Sequence, residues 1–464
     1  MCVPKVALVL FFFKLWHRPN LLPSGAIARP RKKGGLKFLY SMNRRTFNIV
    51  LATAAASSLV GCASAAGPGG RRRTLLYQSV GEQLTHWDVD VDNAALTPRA
   101  SIRMPSNVQY VWPHPSRPYL YVSTSDAASG NAPNPGTVHR LCAVRVDASG
   151  ALQMHGEPRA LPQRPIHNSV DATGTYALTC YNNPSNVTVH RINLDGTIGP
   201  PVPQISRIDV GIFAHQVLTM PGNRSAIMVT RGNRPEATKA EDPGALKIYH
   251  FQDGQLSPLA NLPVGGKGGL GYGPRHLDFH PTQPWVYVSV ESQNQLHMHR
   301  LQGDGLTPEP AYNKSTTIGT YGIDFPQSAG GIHVHPNGRA VYVSNRANAT
   351  VEFNGKRVFR GGENNIAVFS IDQSTGEPTA IQHADPQSFH VRTFSIDPSG
   401  RILVAASIVD MLVRDGNDTR LVPAALSVFR IGDDGTLRFV RKYDVDLGGK
   451  FQWWSGFVGL PAAG

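Results

Sequence analysis

Apolar and polar residues alternate along short stretches of this chain, and each stretch runs into a turn built on Gly, Asn or Asp. Val187–Ile198 reads Val-Thr-Val-His-Arg-Ile-Asn-Leu-Asp-Gly-Thr-Ile, and Leu426–Leu437 reads Leu-Ser-Val-Phe-Arg-Ile-Gly-Asp-Asp-Gly-Thr-Leu. A period of two marks a strand with one buried face, and Asp-Gly supplies the left-handed backbone that a tight hairpin needs. The pattern predicts strand–turn–strand units at Leu84–Leu96, Leu141–Leu152, Val187–Ile198, Leu246–Leu256, Leu296–Leu306, Ile366–Pro378 and Leu426–Leu437.

A second kind of hairpin precedes six of these units, at Val111–Ser123, Ser169–Cys180, Val217–Val229, Leu277–Val288, Ile332–Val343 and Phe394–Ala405. Its turns carry His114-Pro115, Asp171-Ala172, Met220-Pro221, His280-Pro281, His335-Pro336 and Asp397-Pro398, spaced by 57, 49, 60, 55 and 62 residues. Four strands repeated every 50–60 residues predict an all-β, seven-bladed β-propeller. The remaining blade is split. Arg73–Val80 aligns with Arg117–Thr124 as a second strand, and Phe451–Gly459 is left to supply the innermost one, so both chain ends close the ring in one blade and no edge stays open. The propeller is expected over residues 73–464, with polar insertions at Arg231–Gly244 and Asn348–Glu363 and no helix longer than two turns.

Composition changes this picture in one place. The chain of 464 residues has a formal net charge of +13, which raises the question of nucleic-acid binding. Residues 1–73, however, hold 13 Lys/Arg and no acid, and the remainder holds 32 basic and 32 acidic residues. The propeller is neutral, so no nucleic-acid partner is expected. The basic segment reads as an export signal. Arg44-Arg45 before Thr46-Phe47 resembles a twin-arginine motif, the apolar run Ile49–Val60 is too short for a bilayer core of ~30 Å, and Leu59-Val60-Gly61-Cys62 resembles a lipobox that would be lipidated at Cys62. Residues 42–66 are therefore read as the signal and residues 1–41 as an extension of the gene model. A periplasmic protein anchored to the outer membrane only by its lipid is expected, as a monomer. Cys142 and Cys180, in apolar strand-like runs, are expected to be buried thiols rather than a bridge.

In the predicted topology the Pro/Gly turns share one face, and the loops entering each first strand or leaving each second strand share the other. That second face collects Arg164-Pro-Ile-His167, Ala214-His215, Gly273-Pro-Arg275-His276, Gly331-Ile-His333 and His390-Val-Arg392, together with Glu291 and Asn345-Arg346. Arginines, histidines and a carboxylate converging on a channel mouth point to a small-molecule site. His114, His280 and His335 fall on the opposite face and read as turn residues. The pairs His297/His299 and His333/His335 lack clustered carboxylates, so neither a metal nor any other cofactor is expected. No Gly-x-Ser-x-Gly elbow precedes a helix, which removes support for a serine nucleophile.

Arg164-Pro-Ile-His167-Asn-Ser-Val-Asp171, Gly273-Pro-Arg-His-Leu-Asp-Phe-His-Pro281, Val288-Ser-Val-Glu291, Tyr342-Val-Ser-Asn-Arg346 and Phe394-Ser-Ile-Asp-Pro-Ser-Gly400 resemble the seven-bladed lactonase family. That family includes propeller-type 6-phosphogluconolactonases and the fungal carboxymuconate lactonizing enzyme. The resemblance implies a catalytic set of His215, Arg275, Glu291 and Arg346, with Arg164, His167, His276, His333 and Arg392 around the substrate. It implies a carboxylic-ester hydrolase opening a sugar-acid lactone, which the N-terminal signal would export, with a fixed guanidinium holding the oxyanion and Glu291 or His215 taking the proton of water. The alternatives are a lactonizing enzyme working the same pocket in reverse and a non-catalytic ligand-binding propeller of the cell envelope.

Overall fold

The computed structural model describes residues 73–128, 134–264, 268–271, 273–322 and 325–460. The readings of residues 1–41, of the twin-arginine signal and of Cys62 concern residues outside these. The alternating stretches form strands throughout, and no helix occurs among the described residues. Seven antiparallel sheets follow one another along the chain, as the repeats predict, five of four strands and two, in the second and fifth blades, with a fifth short strand at the outer edge.

The first blade is the split one. Its inner strand is Ser455–Leu460, paired antiparallel with Arg73–Val80 from Arg73↔Leu460 to Gln78↔Ser455, followed outward by Gln83–Asp90 and Ala95–Arg103. The ring thus closes through main-chain hydrogen bonds between its two ends. Side chains reinforce the closure. Gln452 donates to the carbonyls of Ser407 (2.8 Å) and Ala425 (3.2 Å) in the seventh blade and accepts from Gln78 in the first.

Each interface between successive blades holds its own apolar cluster. Leu75, Tyr77 and Leu84 of the first blade meet Val111, Leu120 and Cys142 of the second, and Leu76 and Leu96 meet Val404 and Leu426 of the seventh. Both remaining cysteines are buried, free thiols, one in the first of these clusters and one, Cys180, between the third and fourth blades.

Directional bonds set the register of these interfaces. Tyr77, Tyr121, Tyr287 and Tyr342 stand at one position of their blades' second strands. Each donates its hydroxyl to a glycine carbonyl in the outer hairpin turn of the next blade: Gly150 (2.9 Å), Gly196 (3.0 Å), Gly376 (2.9 Å) and Gly435 (2.9 Å). The turn histidines do the same on the Pro/Gly face. His280 Nδ1 accepts from the backbone of Thr282 (3.2 Å) and Gln283 (2.9 Å) in its own turn, which leaves Nε2 to donate to Gly338 of the next blade at 2.8 Å; His335 reaches Gly400 at 2.8 Å in the same way. Reading these histidines as turn residues therefore holds.

Two departures concern the insertions. Asn348–Glu363 is more than a polar loop, because Thr350–Phe353 and Lys356–Phe359 form a hairpin within it. A second hairpin, Met411–Asp415 with Asp418–Val422, projects from the equivalent place in the seventh blade. Its strands are short, half-exposed and charged, so their apolar period is weak in the sequence.

Candidate active site

The inner strands share an irregularity that positions the site. In blades two to five and seven, one residue near the strand's start is extra to the pairing with the second strand: Gln109, Ile166, His215, Arg275 and Arg392. In the sixth blade Gly330 and Gly331 together oppose Ser344. A β-bulge re-aims the side chain it carries. Three of the predicted site residues, His215, Arg275 and Arg392, are such bulge residues at one level of the channel. The backbone just before these strands is also forced. Phe213, Gly273 and His390 have φ of 57°, 63° and 55°, a left-handed conformation that costs a non-glycine residue about 1–2 kcal/mol.

A second layer comes from the far ends of the second strands. Arg231 and Glu291 follow Ser225–Thr230 and Trp285–Val290, and Arg346 ends Ala340–Arg346, at the same point of three successive blades. The two layers meet on Glu291. Arg275 Nη1 donates to Glu291 Oε2 at 2.9 Å, Arg346 Nη2 lies 3.3 Å from Oε1, and Arg231 Nη1 lies 3.9 Å from the same oxygen. The backbone holds the carboxylate in place: Glu291 N donates to Gly273 O (2.8 Å) and Glu291 O accepts from Ala329 N (3.2 Å), tying the fifth blade to the sixth. Arg346 Nη1 lies 3.4 Å from His390 Nε2, and the Arg231 guanidinium covers the Phe213 ring at 3.7 Å.

The charge balance is strongly one-sided. Arg164, Arg231, Arg275, Arg346 and Arg392 interact electrostatically around Glu291, the one carboxylate that pairs with them among the described residues. Burial pushes the Glu291 carboxyl up, but the guanidiniums of Arg275, Arg346 and Arg231 outweigh it and hold the group well below the usual carboxylate range. Burial and the neighbouring guanidiniums lower Arg346 to about 9, and burial lowers Arg164 to about 10. His215 is buried, and burial together with the Arg275 charge drives its imidazole well below the ordinary value, so it is neutral at neutral pH. Several donors of this set have no partner among the described residues: Nε and Nη2 of Arg275, Nε of Arg346, and Nε and Nη1 of Arg164. His215 Nδ1 is likewise unpartnered. Buried unpaired donors on cations are costly, and an anionic oxygen is the group that satisfies them.

The other expected residues fall into three places. His276 adjoins the cluster, with its ring 5.0 Å from His215 and 6.0 Å from His167. His167 is enclosed against Tyr110 (4.1 Å) and lowered to about 3 by burial, so it is a neutral part of the wall. Arg164 and Arg392 flank Trp453, with their guanidinium carbons 5.7 and 4.5 Å from its ring. His333 lies two residues deeper in the channel than the bulge level, half-exposed, with Nδ1 3.6 Å from Asp278 Oδ2, so it is not gathered with Glu291. The region holds no cluster of three or more His, Cys, Asp or Glu side chains arranged for a metal among the described residues. His297 and His299 instead contact Gln295 Oε1 (2.9 Å) and Thr307 O (3.0 Å).

Sequence reasoning missed Arg231, Trp453 and Asp278 as site residues, and placed His390 on the site face without giving it a role. For Arg231 a signal was present: Arg231, Glu291 and Arg346 are spaced by 60 and 55 residues, as are Pro221, Pro281 and Pro336 in the turns of the same blades.

Comparison with known proteins agrees with this architecture. The 6-phosphogluconolactonase of Cronobacter sakazakii is 28% identical over 342 residues, spanning 72% of this chain and 87% of that protein. That of Bacillus subtilis is 26% identical over 336 residues, spanning 70% and 84%. Among solved structures, the periplasmic gluconolactonase of Pseudomonas aeruginosa superposes with a TM-score of 0.63 at 20% identity, covering 84% of this chain and 99% of that one, which speaks to the fold. A family profile described as lactonase, 7-bladed beta-propeller matches residues 74–414. The chain belongs to the seven-bladed β-propeller lactonase family, a family of lactone-opening carboxylic-ester hydrolases.

Proposed function

We propose that the protein is an exported lactonase that opens a sugar-acid lactone by attack of water on the ring carbonyl, with Arg275 stabilising the oxyanion. The observation that carries this reading is the state of Arg275. One of its nitrogens is anchored on Glu291 at 2.9 Å, and Nε and Nη2 are buried and unpartnered. A guanidinium fixed at one end with free donors at the other is preorganised for a developing negative charge. Glu291 is already engaged by Arg275 and Arg346, and its basicity is suppressed by them. Proton acceptance from water is therefore assigned to His215, neutral and with Nδ1 free. Arg346 and Arg164 hold the carboxylate that ring opening produces.

The substrate is read as an unphosphorylated aldonolactone outside the cytoplasm. The Arg44-Arg45 and Cys62 motifs support export, and a gluconolactonase described as periplasmic shares the fold. Steady-state kinetics on glucono-lactone and on its 6-phosphate test this. The reading expects a higher kcat/KM for the unphosphorylated lactone. Turnover of the 6-phosphate alone would overturn the substrate assignment and leave the lactonase reading standing. Cell fractionation tests the address: wild type in the membrane pellet and Cys62→Ala in the soluble periplasm are expected, and wild type wholly soluble would contradict the anchor.

A further inference from the structure

Below the guanidinium cluster the channel widens into a cavity of about 330 Å³ that opens toward Pro113, Pro115 and Asp171 on the Pro/Gly-turn face, opposite to the loops that carry Glu291. Its walls are aromatic. Tyr110, Trp112, Phe394, Trp454 and Phe457 all line it, and His333 stands edge-on to Phe394 with the rings 5.0 Å apart at 90°. Tyr110 and Trp112 lie nearly parallel, at 6.5 Å and 22°. The room for the cavity comes from Gly331, which stands at the level where the fifth blade has His276.

One cation faces this space. Arg392 lines the cavity, and its guanidinium has no hydrogen-bonding or ion-pair partner among the described residues; it lies over Trp453 at 4.5 Å. A planar fork with free donors above aromatic walls matches a ligand that combines one carboxylate with a flat apolar body. The wall does not suit a phosphate. It offers a single guanidinium among aromatic rings, too little positive charge to balance a dianion.

We infer that the turn-face half of the channel is a second ligand site, which binds a small aromatic monocarboxylate with its carboxylate on Arg392 and its ring between Trp112 and Phe394. The site opens on the other face of the channel and asks only for binding, although its anchor Arg392 stands at the level of Arg275 and His215.

Isothermal titration calorimetry of the full-length protein with trans-cinnamate, and with the neutral isostere cinnamamide, tests it. Cinnamate is expected to bind saturably and the amide at least tenfold more weakly, since the amide offers no charge to Arg392. Gly331→Leu is the decisive variant. A Cβ at Gly331 has Arg392 O at 3.5 Å and Phe394 Cε1 at 3.6 Å, ordinary contacts, so the side chain fills the cavity without forcing the backbone. It should abolish cinnamate binding with the melting temperature retained, and Arg392→Met should weaken binding at least tenfold. Should Gly331→Leu lower the melting temperature, competition between cinnamate and benzoate on the wild type supplies the readout, with mutual displacement expected. No saturable binding, equal affinity for acid and amide, binding unchanged in a folded Gly331→Leu variant, or no competition would each overturn the proposal.

Discussion

Arg275 Nη1 donates to Glu291 Oε2 at 2.9 Å, across the pairing of the first two strands of one blade, and Arg346 of the next blade approaches the other carboxylate oxygen at 3.3 Å. Glu291 is thus the counter-ion that lets two buried guanidiniums coexist. Glu291→Gln removes the charge and retains the shape. Removing one partner of a buried ion pair costs about 3–5 kcal/mol, so the variant should melt well below wild type. Its kcat should fall because Arg275 loses its anchor. If His215 is the base, the pH–rate profile of this variant should keep an acidic limb. A flattened acidic limb would move the base to Glu291.

Gly330 bears on the same geometry. A Cβ there would sit 2.3 Å from Ser344 Oγ and 3.0 Å from both Cδ and Nε of Arg346. Gly330→Ala should push the Arg346 side chain off Glu291. If Arg346 anchors the carboxylate end of the substrate, KM should rise about tenfold, ~1.4 kcal/mol of binding, with kcat nearly unchanged. An unchanged KM would remove Arg346 from substrate binding.

Acid should unfold this protein early. His167 is lowered to about 3, and His190 and His297 to about 4, mainly by burial, and His215, His276 and His390 are also held well below the ordinary value by burial and neighbouring guanidiniums. In the unfolded chain these imidazoles take up protons near pH 6.5. The unfolded state therefore binds more protons than the folded one below that pH, and stability falls as pH drops. Each imidazole contributes up to ~1.4 kcal/mol per pH unit until its folded pKa is reached. Melting temperature should be level between pH 7 and 8 and fall steeply between pH 6.5 and 4. A flat profile over that range would contradict the buried, neutral assignment.

Much of this fold is legible in the sequence because its information is local. Asp-Gly and His-Pro turns recur with the blade, and the alternation of Val187–Ile198 or Leu426–Leu437 fixes which side chains are buried. The split blade follows from a leftover strand at each end. The site is less legible because it depends on register between strands far apart in the chain. Arg231 reads as the first residue of a polar insertion, and only the blade spacing reveals that it stands level with Glu291. The bulges at His215, Arg275 and Arg392 leave no mark on the hydrophobic alternation, although they decide where those side chains point. Trp453 lies just before the last strand, in a stretch without a repeat to compare, yet it packs against two arginines.

Ring closure gives a stability test. Deleting residues 451–464 removes the strand paired with Arg73–Val80, the Gln452 bridges to the seventh blade and the buried Trp454 and Val458. The edge of Arg73–Val80 is then unpaired, which invites aggregation. The truncated protein should precipitate or melt at least ~10 °C lower, since several kcal/mol of packing is lost. An unchanged melting temperature would refute closure through the two ends.

If Arg275 stabilises the charge formed when water opens a lactone, the initial rate of glucono-lactone opening by wild type and by Arg275→Ala shows it directly. Wild-type turnover well above the spontaneous rate is expected, with a kcat for Arg275→Ala lower by ~10²–10³, the scale for one oxyanion donor. Wild type no faster than the spontaneous reaction, or an Arg275→Ala variant as fast as wild type, would contradict it.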